Sequence, residues 1–289
     1  MKDLIISAAL TGGGAVAHEH SADKRPVTPD EIARDVVACA KAGAAICHIH
    51  ARNAEGRATN DLAVFTEIME KTRKALKEAD VDVILNLTTS GGLNFTEQRI
   101  APIVALHPEM CSYDAGTLNW YNDGIFYNTP EFLMKLGKAA MENGVKPEIE
   151  VFDSSMIRNA VRFADRGFLA RPLHFQFVLG TYSGMEATVE NMEFLRSMLP
   201  EGSTFSVTGI GRHALPMMLA ALAMEADGIR VGLEDNLFLR YGVPATNEEL
   251  VRQAVHLGTL AGRKIATAAR AREILSLPPN NTASGGVTP

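Results

Sequence analysis

Along this chain, short runs of aliphatic and β-branched residues alternate with longer stretches in which apolar positions recur every three or four residues. Eight runs carry the strand pattern: "LIISAAL" (4–10), "AAICHIH" (44–50), "DVILNLTT" (82–89), "EMCSYDA" (109–115), "PEIEVFD" (147–153), "LHFQFVLG" (173–180), "STFSVTGI" (203–210) and "GIRVGLED" (228–235). Helix punctuation stands between them. Thr28-Pro29-Asp30-Glu31 reads as a capping box with proline in the first turn, "KAG" at 41–43 supplies a terminal glycine, and Thr129-Pro130 and Thr246-Asn247-Glu248-Glu249 repeat the start signal. The stretches "AVFTEIMEKTRKALKEA" and "PEFLMKLGKAAMENG" have helical apolar spacing, with the charges of "EKTRKALKE" forming a solvated outer face.

Eight strand-then-helix units without a linker-like break predict α/β architecture: a single (β/α)8 barrel over residues 1–276, with a doubly wound open sheet as the alternative. Residues 277–289, rich in Pro, Gly, Asn and Ser, read as an extended tail that packing on a neighbouring subunit could order.

Composition narrows the partner. A formal charge of −6 with no concentrated Lys/Arg run excludes a nucleic acid or an anionic membrane as the main target, leaving a small molecule. Cys39, Cys47 and Cys111 are too few and scattered for a disulfide framework. With no signal-like N-terminus and no apolar segment near ~20 residues, a soluble, cytoplasmic protein is expected.

The stretch "AICHIHAR" ends a buried-looking strand on two histidines, which are awkward to bury without partners. On a strand, residues i and i+2 share a face, with Cα atoms about 6–7 Å apart, so His48 and His50 can aim at one ion while Cys47 and Ile49 face away. Residues at the C-terminal ends of barrel strands form the active-site mouth, where His50 would stand. A third ligand is expected from Glu234 or Asp235 at the end of the eighth run, with Arg230 four residues before Glu234. Adjacent carboxylates on a strand point to opposite faces, so one can bind metal and the other act differently. Two histidines and a carboxylate leave a position open for substrate, the pattern of a catalytic zinc; Mg²⁺ and Ca²⁺ prefer all-oxygen sites.

The blocks "TPDEIARDVVACAKAGAAICHIHAR", "NLTTSGG", "FQFVLGTYSGM", "GIGRHALPMMLAALAMEADGIRVGLEDN" and "ATNEELV" make most of the chain resemble the β-keto acid cleavage enzymes. That resemblance implies a barrel binding Zn²⁺ through His48, His50 and Glu234, commonly as a homo-oligomer, dimer or tetramer. It further implies a reaction in which a β-keto acid and acetyl-CoA give acetoacetate and a new acyl-CoA. Asp235 would be the base, acting with Arg230 and a third-strand hydroxyl matched to Thr88, where the family has serine. The chemistry is coherent with the residues: an open zinc polarises a ketone, and the carbon acid of acetyl-CoA needs a carboxylate base. Arg230 would lower the pKa of Asp235, so burial and enolate stabilisation must offset it. One member of the family that the chain resembles uses a glutamate in the loop after the first strand to hold a substrate ammonium; here "LTGGGAVAH" has Gly13, Gly14 and Ala15, and Glu19 is the one nearby carboxylate.

Further candidates are Asn86, Ser112, Asp114 and Glu150 at strand ends or interiors, and Gly211 and Arg212 after the seventh strand, where barrels bind phosphate. Thr11-Gly12-Gly13-Gly14 lacks the Gly-Lys-Ser/Thr of a phosphate loop and reads as a flexible mouth loop. His18 and His20 read as solvated. Two rival functions stand: a metal-dependent hydrolase of amidohydrolase type, which needs later strand-end histidines although His174 opens its strand, and a non-catalytic barrel that senses an acidic metabolite.

Overall fold

The computed structural model describes residues 1–14, 23–90, 96–120 and 124–277. Eight parallel strands form its centre: β1 (Ile5–Ala9), β2 (Ile46–Ile49), β3 (Ile84–Leu87), β4 (Met110–Asp114), β5 (Lys146–Val151), β6 (His174–Leu179), β7 (Thr204–Gly209) and β8 (Gly228–Val231). Each pairs with its neighbours in sequence, and β1 pairs with β8, which closes the barrel. The open-sheet alternative is thereby excluded.

Helices α1 (Pro29–Ala42), α2 (Leu62–Ala79), α3 (Thr96–Leu106), α4 (Pro130–Glu142), α5 (Ser154–Asp165), α6 (Val189–Ser197), α7 (Ala214–Ala223) and α8 (Asn247–Leu260) alternate with the strands. The predicted starts hold at atomic level: Thr28 with Glu31 and Thr246 with Glu249 form reciprocal capping boxes, and the Thr129 side chain caps α4. Gly43 closes α1 at φ 114°, a left-handed conformation open to glycine. A last helix, α9 (Ala268–Leu275), follows the closed barrel.

Strand alternation divides the interior. Ile6, Ala8, Cys47, Ile49, Leu85, Leu87, Tyr113, Ile149, Phe175 and Val207 belong to the main apolar core, formed with the helices. The other set is largely polar, and buried: Ser7, His48, Asn86, Ser112, Glu148, Glu150, Gln176, Ser206 and Arg230. The first residues of β1 to β4, Ile5, Ile46, Ile84 and Met110, form a separate apolar cluster with Ala268, Ala271 and Leu275 of α9. Helix α9 thus lies across the N-terminal end of the barrel as a plug, and polar side chains fill the volume above it.

One predicted boundary is wrong. The eighth run continues as strand only to Val231, because Gly232 turns the chain at φ 142° with its Cα packed on the Ala9 backbone. Leu233, Glu234 and Asp235 form a turn, in which the Asp235 and Asn236 amides both donate to the Gly232 carbonyl.

Candidate active site

His48 stands in β2 and His50 immediately after it, both buried and on one face, with ring centroids 5.0 Å apart. The turn after β8 brings Glu234 to them: its carboxylate oxygens lie 3.8 Å from His48 Nε2 and 3.4 Å from His50 Nε2. One ligand atom from each residue falls within 4.8 Å of the others. This donor set fits a zinc ion. Among the described residues, Glu234 Oε2 is buried without a hydrogen-bond partner, which is costly unless a cation meets it. Burial, with help from Arg230 and His50, pulls His48 down to about 4, keeping a lone pair free for a metal at neutral pH. Burial raises the Glu234 carboxyl, but Arg230 and the two histidines outweigh it and hold the group well below the usual range, so it is anionic.

Arg230, on β8, ties the cluster to a second carboxylate. Its guanidinium donates to both oxygens of Asp235 (2.8 and 3.0 Å), to Glu234 Oε1 (2.6 Å) and to Glu150 Oε1 (3.0 Å). Thr208 donates to Asp235 at 3.1 Å. Strand alternation would have sent Glu234 and Asp235 to opposite faces; the turn at Gly232 instead lets one arginine bind both. Burial raises the Asp235 pKa more than Arg230 lowers it, so the net shift is upward. Burial and Asp114 push Glu150 well above its ordinary value, and burial raises Asp114 also.

Thr88 is buried just past β3, its hydroxyl 2.8 Å from that of Ser90 and accepting the Ser90 amide. Asn86 donates to Glu148 at 2.6 Å, and Asp114 Oδ2 is buried without a partner among the described residues. Ser112 accepts the Thr89 amide at 3.0 Å and so serves the strand ends. The Gly211 amide donates to the Asp235 carbonyl at 2.8 Å, whereas the Arg212 side chain is exposed and reaches His213. His174 opens β6 at the far end of the barrel, beside Thr204 and Glu148, away from the mouth. His18, Glu19 and His20 lie outside the described residues, as does the tail beyond Leu277.

The glycine loop differs from expectation. Buried Arg52 donates to the Thr11 hydroxyl and to the carbonyls of Thr11, Gly12, Gly14 and Gly56, which pins residues 11–14 at the mouth. A side chain on Gly12 would meet Glu234 Cγ at 2.6 Å, and one on Gly14 would meet the Arg25 guanidinium at 3.6 Å. Arg25 itself is paired with Asp23. Sequence reasoning also missed Glu148, fully buried, where burial raises the carboxyl but His174 and other neighbours hold it below its ordinary value. The signal was present: Glu148-Ile149-Glu150 puts two carboxylates on the inward face of one strand.

A closed barrel thus brings two histidines and a carboxylate together at its C-terminal mouth, next to an arginine-bound aspartate. Residues 3–277 match the family described as beta-keto acid cleavage enzyme. The chain is 44% identical over 280 residues to a 3-keto-5-aminohexanoate cleavage enzyme of Fusobacterium nucleatum, covering 96% of this chain and 99% of that one. It is 41% identical, at the same coverage, to the enzyme of that name from Acetoanaerobium sticklandii. It is 33% identical to a 3-dehydrocarnitine:acetyl-CoA trimethylamine transferase of Rhizobium meliloti, over 96% of this chain and 97% of that one. Among solved structures, ObcA shares the fold at a TM-score of 0.75 and 22% identity, covering 88% of this chain and 65% of that one. The chain belongs to the β-keto acid cleavage enzymes.

Proposed function

We propose that the protein is a zinc-dependent acyltransferase that converts a β-keto acid and acetyl-CoA to acetoacetate and a new acyl-CoA. The carrying observation is the meeting of His48, His50 and Glu234 beside the Arg230–Asp235 pair, in a chain of this family. Acetyl-CoA appears in the name of the Rhizobium relative. His48, His50 and Glu234 would hold the ion, which when bound supplies Lewis-acid polarisation of the substrate ketone.

Carbon balance moves the deprotonation from acetyl-CoA to the β-keto acid: Asp235 takes a proton from its C2, between ketone and carboxylate, and the raised pKa makes Asp235 a stronger base than an ordinary aspartate. Arg230 holds that carboxylate in place through two hydrogen bonds and, with Thr88 just past β3, stabilises oxyanion charge as the C2 carbanion adds to the thioester carbonyl of acetyl-CoA. In the resulting tetrahedral adduct the CoA sulfur leaves the acetyl carbon for the neighbouring ketone carbon, and a retro-Claisen step breaks the C2–C3 bond, releasing the new acyl-CoA and the carbanion of acetoacetate, which takes the proton back from Asp235. Asn86, Ser112, Asp114, Gly211 and Arg212 are the proposed substrate contacts. A homodimer or homotetramer is the proposed assembly, and the cytoplasm the proposed location; no described helix is long and apolar enough to cross a membrane.

The substrate tail follows from the pinned loop. Gly12, Gly13 and Gly14 present no carboxylate, and the space beyond Gly14 faces Arg25. Unless Glu19 supplies the carboxylate, an ammonium there would lose water without a partner among the described residues 11–14, at a cost of several kcal/mol, so tails that are neutral or differently charged are favoured. The test is zinc-loaded protein, acetyl-CoA and β-keto acids with amino, hydroxy, alkyl, carboxylate or trimethylammonium tails, with acetoacetate measured. Acetoacetate from none of them refutes the reaction. A clear preference for the 5-amino compound refutes the tail assignment and leaves the reaction standing.

A further inference from the structure

We infer that Asn247, at the start of α8, is a positioning residue for the metal cluster: its side chain fixes the turn carrying Glu234 and Asp235 against β1 and α1. The inference rests on the reading of His48, His50 and Glu234 as metal ligands. Asn247 is fully buried, although it occupies the first residue of a helix, where side chains usually meet solvent. Its amide is used on every side. Oδ1 accepts the Leu233 amide at 2.7 Å, and Nδ2 donates to the Leu10 carbonyl at 2.8 Å and to Asp35 Oδ2 at 2.6 Å.

These partners lie where the site is assembled. Leu233 precedes Glu234 directly, and Leu10 joins β1 to the glycine loop that packs on the Glu234 side chain. The Glu234 amide itself donates to the Ala9 carbonyl at 3.1 Å, so the turn hangs on β1 by one backbone bond and on α8 by the Asn247 amide. Without Asn247, the buried Leu233 amide and Leu10 carbonyl would lack their partner, and the turn would shift to find others. Histidines on a rigid strand would stay, while the carboxylate on the turn would move. A group must at once accept from one backbone amide and donate to a carbonyl and a carboxylate; among side chains of this size only asparagine does so. Aspartate has no donor and would face Asp35.

Such support shells are worth roughly 10- to 100-fold in metal affinity. Zinc dissociation constants, measured by chelator competition far below the unfolding temperature, test the inference in four proteins. Asn247→Ala should bind zinc at least about tenfold more weakly than wild type. Asn247→Asp keeps the acceptor for the Leu233 amide but loses the donor to the Leu10 carbonyl and faces Asp35, and should also bind zinc more weakly than wild type. Tyr113→Phe, which removes a buried hydrogen bond to the Leu133 carbonyl far from the turn, should be destabilised yet bind zinc as wild type does.

Wild-type affinity in Asn247→Ala, or an equal loss in Tyr113→Phe, overturns the role of Asn247. Absence of zinc binding in wild type overturns the site itself. Should Asn247→Ala fail to fold, Asn247→Asp decides, since zinc affinity equal to that of wild type in it refutes the inference. Hydrogen exchange of metal-free wild type gives a further reading: the Leu233 amide should be as protected as the barrel strands, and exchange at the rate of exposed loops refutes the inference.

Discussion

Arg230 satisfies oxygens on three carboxylates, of Asp235, Glu234 and Glu150, from a site where the arginine, Asp235 and Glu150 are buried and Glu234 is half-buried. On the proposed reading, its fork holds Glu234, the metal ligand, through Nη2 and Asp235, the base, through Nε and the same Nη2. His48→Ala and His50→Ala should each lose zinc in equilibrium dialysis, because two ligands rarely retain an open catalytic ion. Asp235→Asn should keep zinc and fold while lowering kcat by on the order of 10². If Asp235→Asn instead loses the metal and Glu234→Gln keeps it, the two roles are reversed. The pair of histidines was legible in the sequence because period-two spacing places them on one face. The upward shift at Asp235 was not, since it reflects the balance of burial against Arg230, and burial is set by the whole fold.

Among the elements, the strands and caps could be read because each depends on nearby residues: Thr28 with Glu31, Thr246 with Glu249, and Gly43 after α1. The end of β8 could not. Gly232 leaves strand geometry where a Cβ would stand 2.0 Å from the Ala9 carbonyl oxygen, a contact across more than 200 positions of sequence. Gly232→Ala combines that clash with an unfavourable φ of 142° and should cost on the order of 3 kcal/mol, read as a lowered unfolding temperature and weakened zinc binding. Likewise, the glycines of the mouth loop gave no sign that Arg52, some forty residues on, would fasten their carbonyls.

For the molecule as a whole, the buried network makes stability depend on pH in a definite direction. Burial pushes Asp35 up to about 6 from 3.8, against the opposing pull of Asn247. Between those values the unfolded chain has lost a proton that the folded chain keeps. This contribution is therefore fully present below about pH 4 and falls away as pH rises through 6, by on the order of 3 kcal/mol. Asp35→Asn should lose that slope, and the difference between the two proteins in urea midpoint across pH 4 to 7 measures it. An unchanged difference would assign the slope elsewhere.

The α9 plug makes the barrel a cup with one rim. Anything that reaches Arg230 goes in and comes out past the same loops, so the molecule seated deeper arrives first and departs last. Two substrates using such a well would queue rather than enter at random, and that order should be visible in steady-state inhibition patterns.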